Sequence, residues 1–520
     1  MHHPVSAIPP ARAATGRPPL LGALACALAL AVAAPASQAA RPRTVRSSHV
    51  AGVVSVTAGV TPFIAYVAYV PQSTKAVDHV DVTINPRTGA TAGPVHIRFS
   101  IAALRARGGV GGGGQLTVPV YGLYAGLRNQ VKLVTSFADG SSESLPVGVK
   151  AAAYTDPNKT YDRPNVLQAR DATRALGYDF IYIKSGLGTA VVIDVDGQIR
   201  WVATGIPSAF SSAFMPDNRF IIGAQRSADI STQDLDGTVV KSGVLSSTVL
   251  SFSHNIDFGR DAFLTDTDDR INGKKNIEST ITEMTPTGNV LRVWDFAKIF
   301  TDWMAARGDD PTQFVLPGLN WMHINSSFYD PRDNSLTVSS REQFVVNLDY
   351  DTAEIRWILG DPGKQWHTFA SLRARAITLP DGDFYPIGQH SISLADDGKL
   401  MLFNNGTRSD VVASGAPRGA GRTFTVVSKY TIDPVTMTGK EIWRYDHAPE
   451  VKTDYCGSAR DGGAGTTLVD YAALGKLGNR MRLLGLDANA QTVFEYEYPN
   501  VSCGTGWHAR PFPFDNLVYP

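Results

Sequence analysis

Three histidines occupy one position of a unit that the sequence repeats. His254, His323 and His390 each stand at the head of an alternating apolar stretch, followed by a turn and a second apolar stretch. The three units read SHNIDFGRDAFLTDTD at 253–268, MHINSSFYDPRDNSLTVSSR at 322–341 and GQHSISLADDGKLMLFNNG at 388–406. Such alternation predicts β-hairpins, and an imidazole can serve as a nucleophile, an acid–base group or a metal ligand. Because the chain has only 11 histidines in 520 residues, this placement predicts a shared chemical site.

Two neighbouring residues indicate what that site would bind. Asn325 follows His323 by two positions, so both side chains should lie on one face of the strand. Arg341 ends the return strand of the same hairpin. A guanidinium beside three imidazoles forms a cationic pocket for an oxyanion. The alternative is a zinc or copper site built from the histidines, but Arg341 would repel a dication, so we expect no metal.

A second repeat surrounds these hairpins and predicts the fold. Six segments consist of a strand, a turn rich in Asp, Asn, Thr or Gly, and a strand that usually carries an aromatic residue; the first is VVIDVDGQIRWVA and the last is LLGLDANAQTVFEYEY. Each full period then holds about four strands, which is typical of a β-propeller. We predict a six-bladed propeller over residues 151–520. Its innermost strands line one channel, so equivalent strand ends bring His254, His323 and His390 to the same mouth.

Residues 41–150 have a different sequence pattern from this repeat. They contain short alternating runs such as VDVTI and VKLVTSF, separated by turn residues, which predict a small N-terminal β-sandwich. A polar stretch with two prolines at 153–165 marks the boundary. The predicted fold class is therefore all-β, with a β-sandwich followed by a propeller.

Residues 1–40 are predicted to be a signal peptide. Arg12 and Arg17 precede an apolar run at 20–34, and small residues allow cleavage near Ala39 or Ala40. Lipidation at Cys26 is the alternative to simple cleavage. No later segment is long and apolar enough to form a membrane helix. We expect an exported protein, periplasmic or secreted, that is free of the membrane after cleavage.

Charge and cysteine content restrict the partners further. The chain has 48 basic and 48 acidic residues and no Lys/Arg-rich run, which argues against nucleic-acid binding. Cleavage leaves Cys456 and Cys503, and an oxidising compartment favours a disulfide between them. Two unpaired buried thiols are the alternative.

The same residues resemble those of the bacterial arylsulfotransferases, an exported and cofactor-independent family. The stretch at 118–134 resembles the family's N-terminal β-sandwich, and the elements HIN…VSSR, WILGDP, GQHSIS and LFNNG resemble its propeller in the same order. Two positions depart from the family pattern: Glu342 stands where a histidine is common, and Asn404 where an aspartate is common. These departures concern acceptor preference more than the chemistry.

The resemblance implies a function and a role for each residue. His390 would attack an aryl sulfate ester and become a sulfohistidine, and a phenol would then accept the sulfuryl group. Catalysis would also involve His323 and Arg341, while His254 and Asn325 would bind the sulfate. Either His323 or His254 would be the general acid and base. The resemblance implies no cofactor, and it allows a homodimer.

Three other functions stay open from the sequence: a binding propeller without activity, a metal-dependent or quinoprotein-like enzyme, and an aryl sulfatase. Trp366 and Tyr385 are candidates for stacking the aryl ring, with packing on their own blade as the alternative. The physiological donor and acceptor cannot be read from the residues.

Overall fold

A computed structural model describes residues 55–186, 189–205, 208–225, 227–271, 273–447 and 451–520. Strands dominate this part of the chain, so the prediction of an all-β protein is confirmed. The predicted signal peptide at 1–40, with Cys26, lies outside the described residues. Within the described residues, no helix has the length and apolar character needed to cross a bilayer.

Between residues 55 and 150, seven strands pair antiparallel in two sheets. These strands are β1 (Ser55–Ala58), β2 (Ile64–Tyr69), β3 (Val77–Ile84), β4 (Val95–Ser100), β5 (Leu116–Tyr121), β6 (Arg128–Phe137) and β7 (Ser142–Lys150). One sheet has the order β1-β2-β5, and the other has the order β4-β3-β6-β7. Burial alternates along β3, β4 and β6, because successive side chains of a strand point to opposite faces.

The described residues after 151 supply a further 26 strands. In chain order they are β8 (Asn165–Gln168), β9 (Phe180–Lys184), β10 (Val191–Asp194), β11 (Ile199–Val202), β12 (Ser212–Phe214), β13 (Phe220–Gly223), β14 (Asp229–Gln233), β15 (Val239–Val244), β16 (Val249–Phe258), β17 (Phe263–Ile271), β18 (Lys274–Met284), β19 (Val290–Asp295), β20 (Ile324–Asp330), β21 (Ser335–Ser340), β22 (Val345–Asp349), β23 (Ile355–Leu359), β24 (His390–Leu394), β25 (Leu400–Asn404), β26 (Val426–Asp433), β27 (Thr438–Tyr445), β28 (Ser458–Asp461), β29 (Thr467–Leu474), β30 (Arg480–Leu486), β31 (Thr492–Pro499), β32 (His508–Pro511) and β33 (Leu517–Tyr519).

Helices are few and short in the described residues. They are α1 (Ile101–Ala106), α2 (Phe296–Ala305) and α3 (Ala370–Arg373), with 3-10 turns at Gly112–Gly114, Pro311–Gln313, Gln365–Thr368 and Lys476–Gly478. Asp295 caps α2 by accepting a hydrogen bond from the Lys298 N–H, which satisfies one of the free donors at a helix start.

Strands β8–β32 form six antiparallel sheets. The sheet orders are β11-β10-β9-β32, β12-β13-β14-β15, β16-β17-β18-β19, β20-β21-β22-β23, β24-β25-β26-β27 and β28-β29-β30-β31-β8. The hairpins predicted at 253–268, 322–341 and 388–406 are found as the first two strands of three consecutive sheets. The late strand β32 joins the earliest of these sheets, and β33 pairs with β4.

The core lies between neighbouring sheets. Strands such as β10 and β29 are buried along their whole length, because sheets cover both of their faces. One edge strand of each sheet contacts that of the next sheet, in the series β12, β16, β20, β24, β28 and β32. His254 and His390 lie in this series, and His323 immediately precedes β20. The predicted boundary near residue 150 stays a prediction.

Candidate active site

The structure brings the three repeated histidines together. His254 lies in β16, His323 immediately precedes β20, and His390 begins β24. The ring centroids of His254 and His323 are 5.1 Å apart, and those of His323 and His390 are 6.5 Å apart. Residues separated by more than sixty positions in the chain therefore form one cluster.

A β-bulge near the start of each hairpin determines the direction of these histidine side chains. The strand register shifts between Phe252 and Ile256, between Ile324 and Ser326, and between His390 and Ser393. A bulge leaves residues out of the hydrogen-bond ladder and redirects their side chains, and bulges are frequent beside active sites. Two residues here, His323 (φ 50°) and Ser391 (φ 55°), adopt left-handed backbone conformations. Such strain persists only where the surrounding structure enforces it.

The histidines line a cavity of about 470 Å³. Thirteen described residues form its wall: Gly186, Phe210, Gln225, His254, His323, Arg341, His390, Tyr455, Cys456, Ser502, Cys503, Gly504 and Trp507. Four of the five predicted catalytic or substrate-binding residues are therefore in one wall. The volume suits a ligand of the size of a substituted benzene ring with a sulfate group, at the lower end of the usual range for small-molecule sites.

The aromatic side of this cavity is Trp507. Its ring stacks on His254 at 5.0 Å and meets His390 edge-on at 5.7 Å. The two aromatics suggested by the sequence lie elsewhere. Trp366 is 1% exposed and donates its indole N–H to the Asp361 carbonyl, and the Tyr385 hydroxyl accepts a hydrogen bond from Leu379 N–H. Both pack on their own sheets, because their loops fold inward.

His390 is held neutral, with a defined tautomer. The Asn405 amide nitrogen donates to the carbonyls of Thr453 and Cys456, so its oxygen must face His390 Nδ1, 2.8 Å away. Nδ1 therefore carries the proton, and Nε2 carries the lone pair. Burial, the Arg341 guanidinium and His254 lower the pKa of His390 to about 3. The Cys456 backbone N–H donates to Nε2 over 3.3 Å.

His254 has the opposite charge state. Burial lowers its pKa, but the carboxylates of Glu278 and Asp266 outweigh this effect and raise the pKa to about 9. Asp266 lies 2.9 Å from His254 Nδ1 and also accepts the backbone N–H groups of His254 and Asn255. The same carboxylate thus fixes the bulge and charges the ring. His254 is an imidazolium at neutral pH.

His323 is neutral, like His390. Burial and the positive charges of His254 and Arg341 keep the pKa of His323 well below its ordinary value. Its Nδ1 lies 3.0 Å from the Asn320 amide nitrogen and 3.3 Å from Glu278 Oε2. The three histidines therefore differ in protonation although they occupy equivalent positions.

Glu278 was not predicted from the sequence. It lies in the third strand of its sheet with φ 44°, and its Oε1 is 3.7 Å from His254 Nε2. Burial raises the pKa of Glu278, and His254 opposes that effect. His254, Glu278 and His323 offer three metal-ligand atoms within 4.8 Å of one another, so they could also hold a metal ion.

Arg341 borders the cavity but is not a free cation. It pairs with Glu342 and, at 2.9 Å, with Asp410. Glu342 also accepts the backbone N–H groups of Asp410 and Val411, so the residue that replaces the family's common histidine fastens this loop to the site. Arg341 lies beside the imidazoles in the cavity wall, but the two carboxylates that lie against it were not predicted from the sequence.

Asn325 lies behind the cavity wall. It is fully buried, donates to the Gln389 carbonyl at 2.8 Å and accepts from the Ser326 hydroxyl at 3.1 Å. It is not among the described residues that line the cavity. In this arrangement it supports the backbone that precedes His390.

The predicted disulfide between Cys456 and Cys503 is confirmed. Both half-cystines line the cavity. The bond connects the loop that contacts His390 to the segment that leads into Trp507.

A second polar layer lies below the histidines. Asn255 accepts from the Lys184 ammonium at 2.6 Å, and its amide nitrogen lies 3.3 Å from His508 Nδ1. Burial, followed by neighbouring cations, lowers the pKa of both Lys184 and His508. Neither His508 nor Trp507 was predicted to belong to the site, because β32, which Trp507 immediately precedes, joins a sheet whose other strands lie more than 300 residues earlier.

These features define an all-β protein with a histidine-lined cavity in which carboxylates accompany the cationic groups of His254 and Arg341. A sequence model of the family described as Arylsulfotransferase (ASST) matches residues 167–505. That match covers more than half of the chain, and the chain belongs to this family.

Individual relatives match over shorter lengths. The chain is 27% identical to "Arylsulfate sulfotransferase AssT" of Escherichia coli O6:H1 (strain CFT073), over 32% of this chain and 35% of the relative. It is 25% identical to the protein of the same name from Lelliottia amnigena, with the same two shares. The matches therefore span about a third of the length of these curated relatives. A solved structure, "Europium-containing methanol dehydrogenase", covers 72% of this chain and 75% of its own at 10% identity, with a TM-score of 0.30, which is too low to bear on the fold.

Proposed function

We propose that the protein is an aryl sulfate sulfotransferase in which His390 carries the sulfuryl group between donor and phenolic acceptor. The observation that carries this proposal is the state of His390: a neutral imidazole in the cavity wall whose proton is held at Nδ1 and whose Nε2 has the lone pair. That lone pair accepts the Cys456 backbone N–H over 3.3 Å, and the sulfuryl group would replace this donor during the attack. An imidazole must be neutral to act as a nucleophile. Family membership supports the same chemistry.

We propose that the six sheets from β8 to β32 are the blades of one closed propeller, preceded by a β-sandwich at 41–150. The support is the sheet order: β32 completes the sheet of β9–β11, and one edge strand of each sheet contacts that of the next. Such closure leaves few exposed strand edges. It would hold the cavity residues at fixed distances.

The first half-reaction transfers the sulfuryl group to the enzyme. The Nε2 lone pair of His390 forms a bond to sulfur while the bond between sulfur and the aryl oxygen breaks, and its electron pair leaves with the phenolate. The ring keeps its Nδ1 proton, which Asn405 accepts as a hydrogen bond. Because a neutral amide cannot take that proton, the sulfated ring stays positively charged and remains a good leaving group for the second transfer.

The charge states favour His254 as the acid. A group that protonates the departing phenolate must carry a proton beforehand, and His254 does so because Glu278 and Asp266 raise its pKa to about 9. Neutral His254 would then take the proton of the acceptor phenol. His323 and Arg341 would hold the sulfate oxygens as hydrogen-bond donors, and Trp507 would lie against the aryl ring.

Sulfuryl transfer has a loose transition state with dispersed negative charge, so positioning and electrostatics should dominate. The cavity supplies one imidazolium and one guanidinium for that charge. The aromatic wall and the disulfide loop would limit access of water to the N–S bond. Limited access of water would favour transfer of the sulfuryl group to a phenol over its hydrolysis, which is the reaction of a sulfatase.

We also propose export through the predicted signal peptide, with small-molecule aryl sulfates and phenols as partners. A disulfide in the cavity wall supports an oxidising compartment, because disulfides seldom persist in the cytosol. Comparison of the intact mass from cell fractions with the mass of the full chain tests cleavage near residue 40.

The decisive experiment mixes the protein with 4-nitrophenyl sulfate alone. We expect one equivalent of nitrophenolate and a protein mass increase of one SO₃ group, located on His390 by peptide sequencing. His390→Gln should show neither, while His79→Ala, in β3 and outside the site, should behave as the wild type. Adding phenol should restore turnover. A protein that hydrolyses the donor equally well without phenol would be a sulfatase, and one that releases no nitrophenolate would be a binding protein.

A further inference from the structure

We propose that His254, Glu278 and His323 bind one divalent transition-metal ion, zinc foremost, in the wall of the histidine cavity. The three residues come from β16, β18 and the segment before β20, so two neighbouring sheets contribute. Two imidazoles and one carboxylate are a ligand set that zinc prefers when it keeps a fourth position open.

Two of the separations between ligand atoms are close to those of a tetrahedral site. Glu278 Oε1 lies 3.7 Å from His254 Nε2, and Glu278 Oε2 lies 3.3 Å from His323 Nδ1. Zinc bonds to nitrogen and oxygen of about 2.0–2.1 Å place tetrahedral ligand atoms about 3.4 Å apart. All three atoms lie within 4.8 Å. Only small side-chain rotations would therefore bring them around one ion.

The surrounding hydrogen bonds fix the side chains around this centre. Asp266 lies 2.9 Å from His254 Nδ1, and such a carboxylate fixes the proton on the far nitrogen of a metal-binding histidine. Nε2 is then the ligand atom, and a bound ion would replace the second proton of the His254 imidazolium. The Asn320 amide nitrogen lies 3.0 Å from His323 Nδ1 and 2.5 Å from Glu278 Oε2. An amide that donates to both marks His323 Nδ1 and Glu278 Oε2 as acceptors, and the ion would take the place of the amide at His323 Nδ1.

Access and charge are compatible with a dication. Glu278 and His323 are 18% and 25% exposed at their side chains, and His254 and His323 line the cavity, so solvent or a ligand could fill the fourth position. Glu278 and Asp266 supply two negative charges. Arg341 would repel the ion, but Glu342 and Asp410 pair with it. The repulsion that argued against a metal is therefore largely offset.

The test is calorimetric titration of the chelator-treated full chain with Zn²⁺ in the absence of any sulfate ester. We expect one site, and Glu278→Gln should weaken it on the order of 100-fold or more, because even the loss of an outer-shell partner costs 10–100-fold. His323→Ala provides a second variant with a different structural risk. His79→Ala is the matched control: His79 lies 2.8 Å from Asp78 and 3.4 Å from Asp81 at the surface, so it tests adventitious binding.

Cobalt gives an independent reading. Co²⁺ bound to two imidazoles and a carboxylate in four-coordinate geometry should give intense visible absorption in the wild type and His79→Ala, but not in Glu278→Gln. Zinc affinity that is unchanged in both Glu278→Gln and His323→Ala would overturn the proposal, as would the lack of any site tighter than millimolar. Because no substrate is present, this outcome is separate from the fate of the proposed sulfotransfer. If both hold, Zn²⁺ should inhibit turnover, since it occupies the proposed acid His254.

Discussion

The protonation of His254 can be tested by Asp266→Asn. The pKa of His254, raised from 6.5 to about 9 by Glu278 and Asp266, corresponds to about 3 kcal/mol in favour of the imidazolium. The substitution removes one of the two carboxylates and keeps the size of the side chain. If the pKa fell fully to 6.5, the protonated fraction at pH 8 would drop about 30-fold, whereas at pH 6 it would change by only about 1.3-fold.

Two sulfate esters allow this difference in the protonated fraction of His254 to be measured as a difference in reaction rate. Phenyl sulfate has a basic leaving group that needs a proton, while 4-nitrophenyl sulfate scarcely needs one. At pH 8 we expect Asp266→Asn to slow enzyme sulfation by phenyl sulfate by up to about 30-fold, by the protonation argument, and to affect 4-nitrophenyl sulfate much less. At pH 6 the substitution should slow enzyme sulfation by the two sulfate esters to a similar, small extent. The assay is single-turnover mass spectrometry of the sulfated protein.

The pH dependence separates protonation from damage to the bulge. Asp266 also accepts two backbone N–H groups, and an asparagine can accept only one of them well, so some stability will be lost. That loss of stability should slow enzyme sulfation by both sulfate esters at every pH. If Asp266→Asn lost the same fraction of the sulfation rate with both sulfate esters from pH 6 to pH 8, His254 would be refuted as the acid. The linked stability has a defined sign: a raised histidine pKa stabilises the fold below pH 6.5, and this contribution is lost as pH rises through 9.

Three further results are expected. Arg341→Ala should lower kcat about 10²–10³-fold, the usual cost of one oxyanion donor, as measured with 4-nitrophenyl sulfate and phenol; Arg341→Lys should recover part of it. Asn405→Asp should raise the pKa of His390 from about 3 by adding an anion at Nδ1, which moves the acidic limb of the sulfation rate to higher pH in a stopped-flow profile. Cys456→Ala with Cys503→Ala should cost roughly 4 kcal/mol of unfolding free energy in urea, the chain-entropy value for a loop of 47 residues.

The repeat allowed much of the fold to be predicted. Local alternation and turn residues determine hairpins, so the paired strands that carry His254, His323 and His390 could be placed without coordinates. The same logic could not find β32. It pairs with β9, which lies more than 300 residues earlier. A strand of four residues is too short for its sequence pattern to indicate its partner strand. Trp507 was missed with it.

Side-chain partners were the least accessible to sequence reasoning. Glu278 reaches the histidines from a left-handed backbone position on a third strand, where simple alternation does not say which way a side chain points. Asp410 reaches Arg341 from a loop 69 positions later. Both are carboxylates that change the charge of the site. A prediction built on histidines and arginine alone therefore gave too positive a pocket.

The electrostatic difference among equivalent histidines follows from these partners. A repeat supplies three imidazoles at one level, but three identical rings in a buried cavity would compete for protons and most would be neutral. One charged ring requires an anion that the repeat does not provide. Asp266 and Glu278 supply it at His254, whereas Asn405 gives His390 a neutral acceptor of similar shape. The choice between carboxylate and amide next to each ring thus assigns the acid and the nucleophile, while the repeated hairpins determine only where the rings lie.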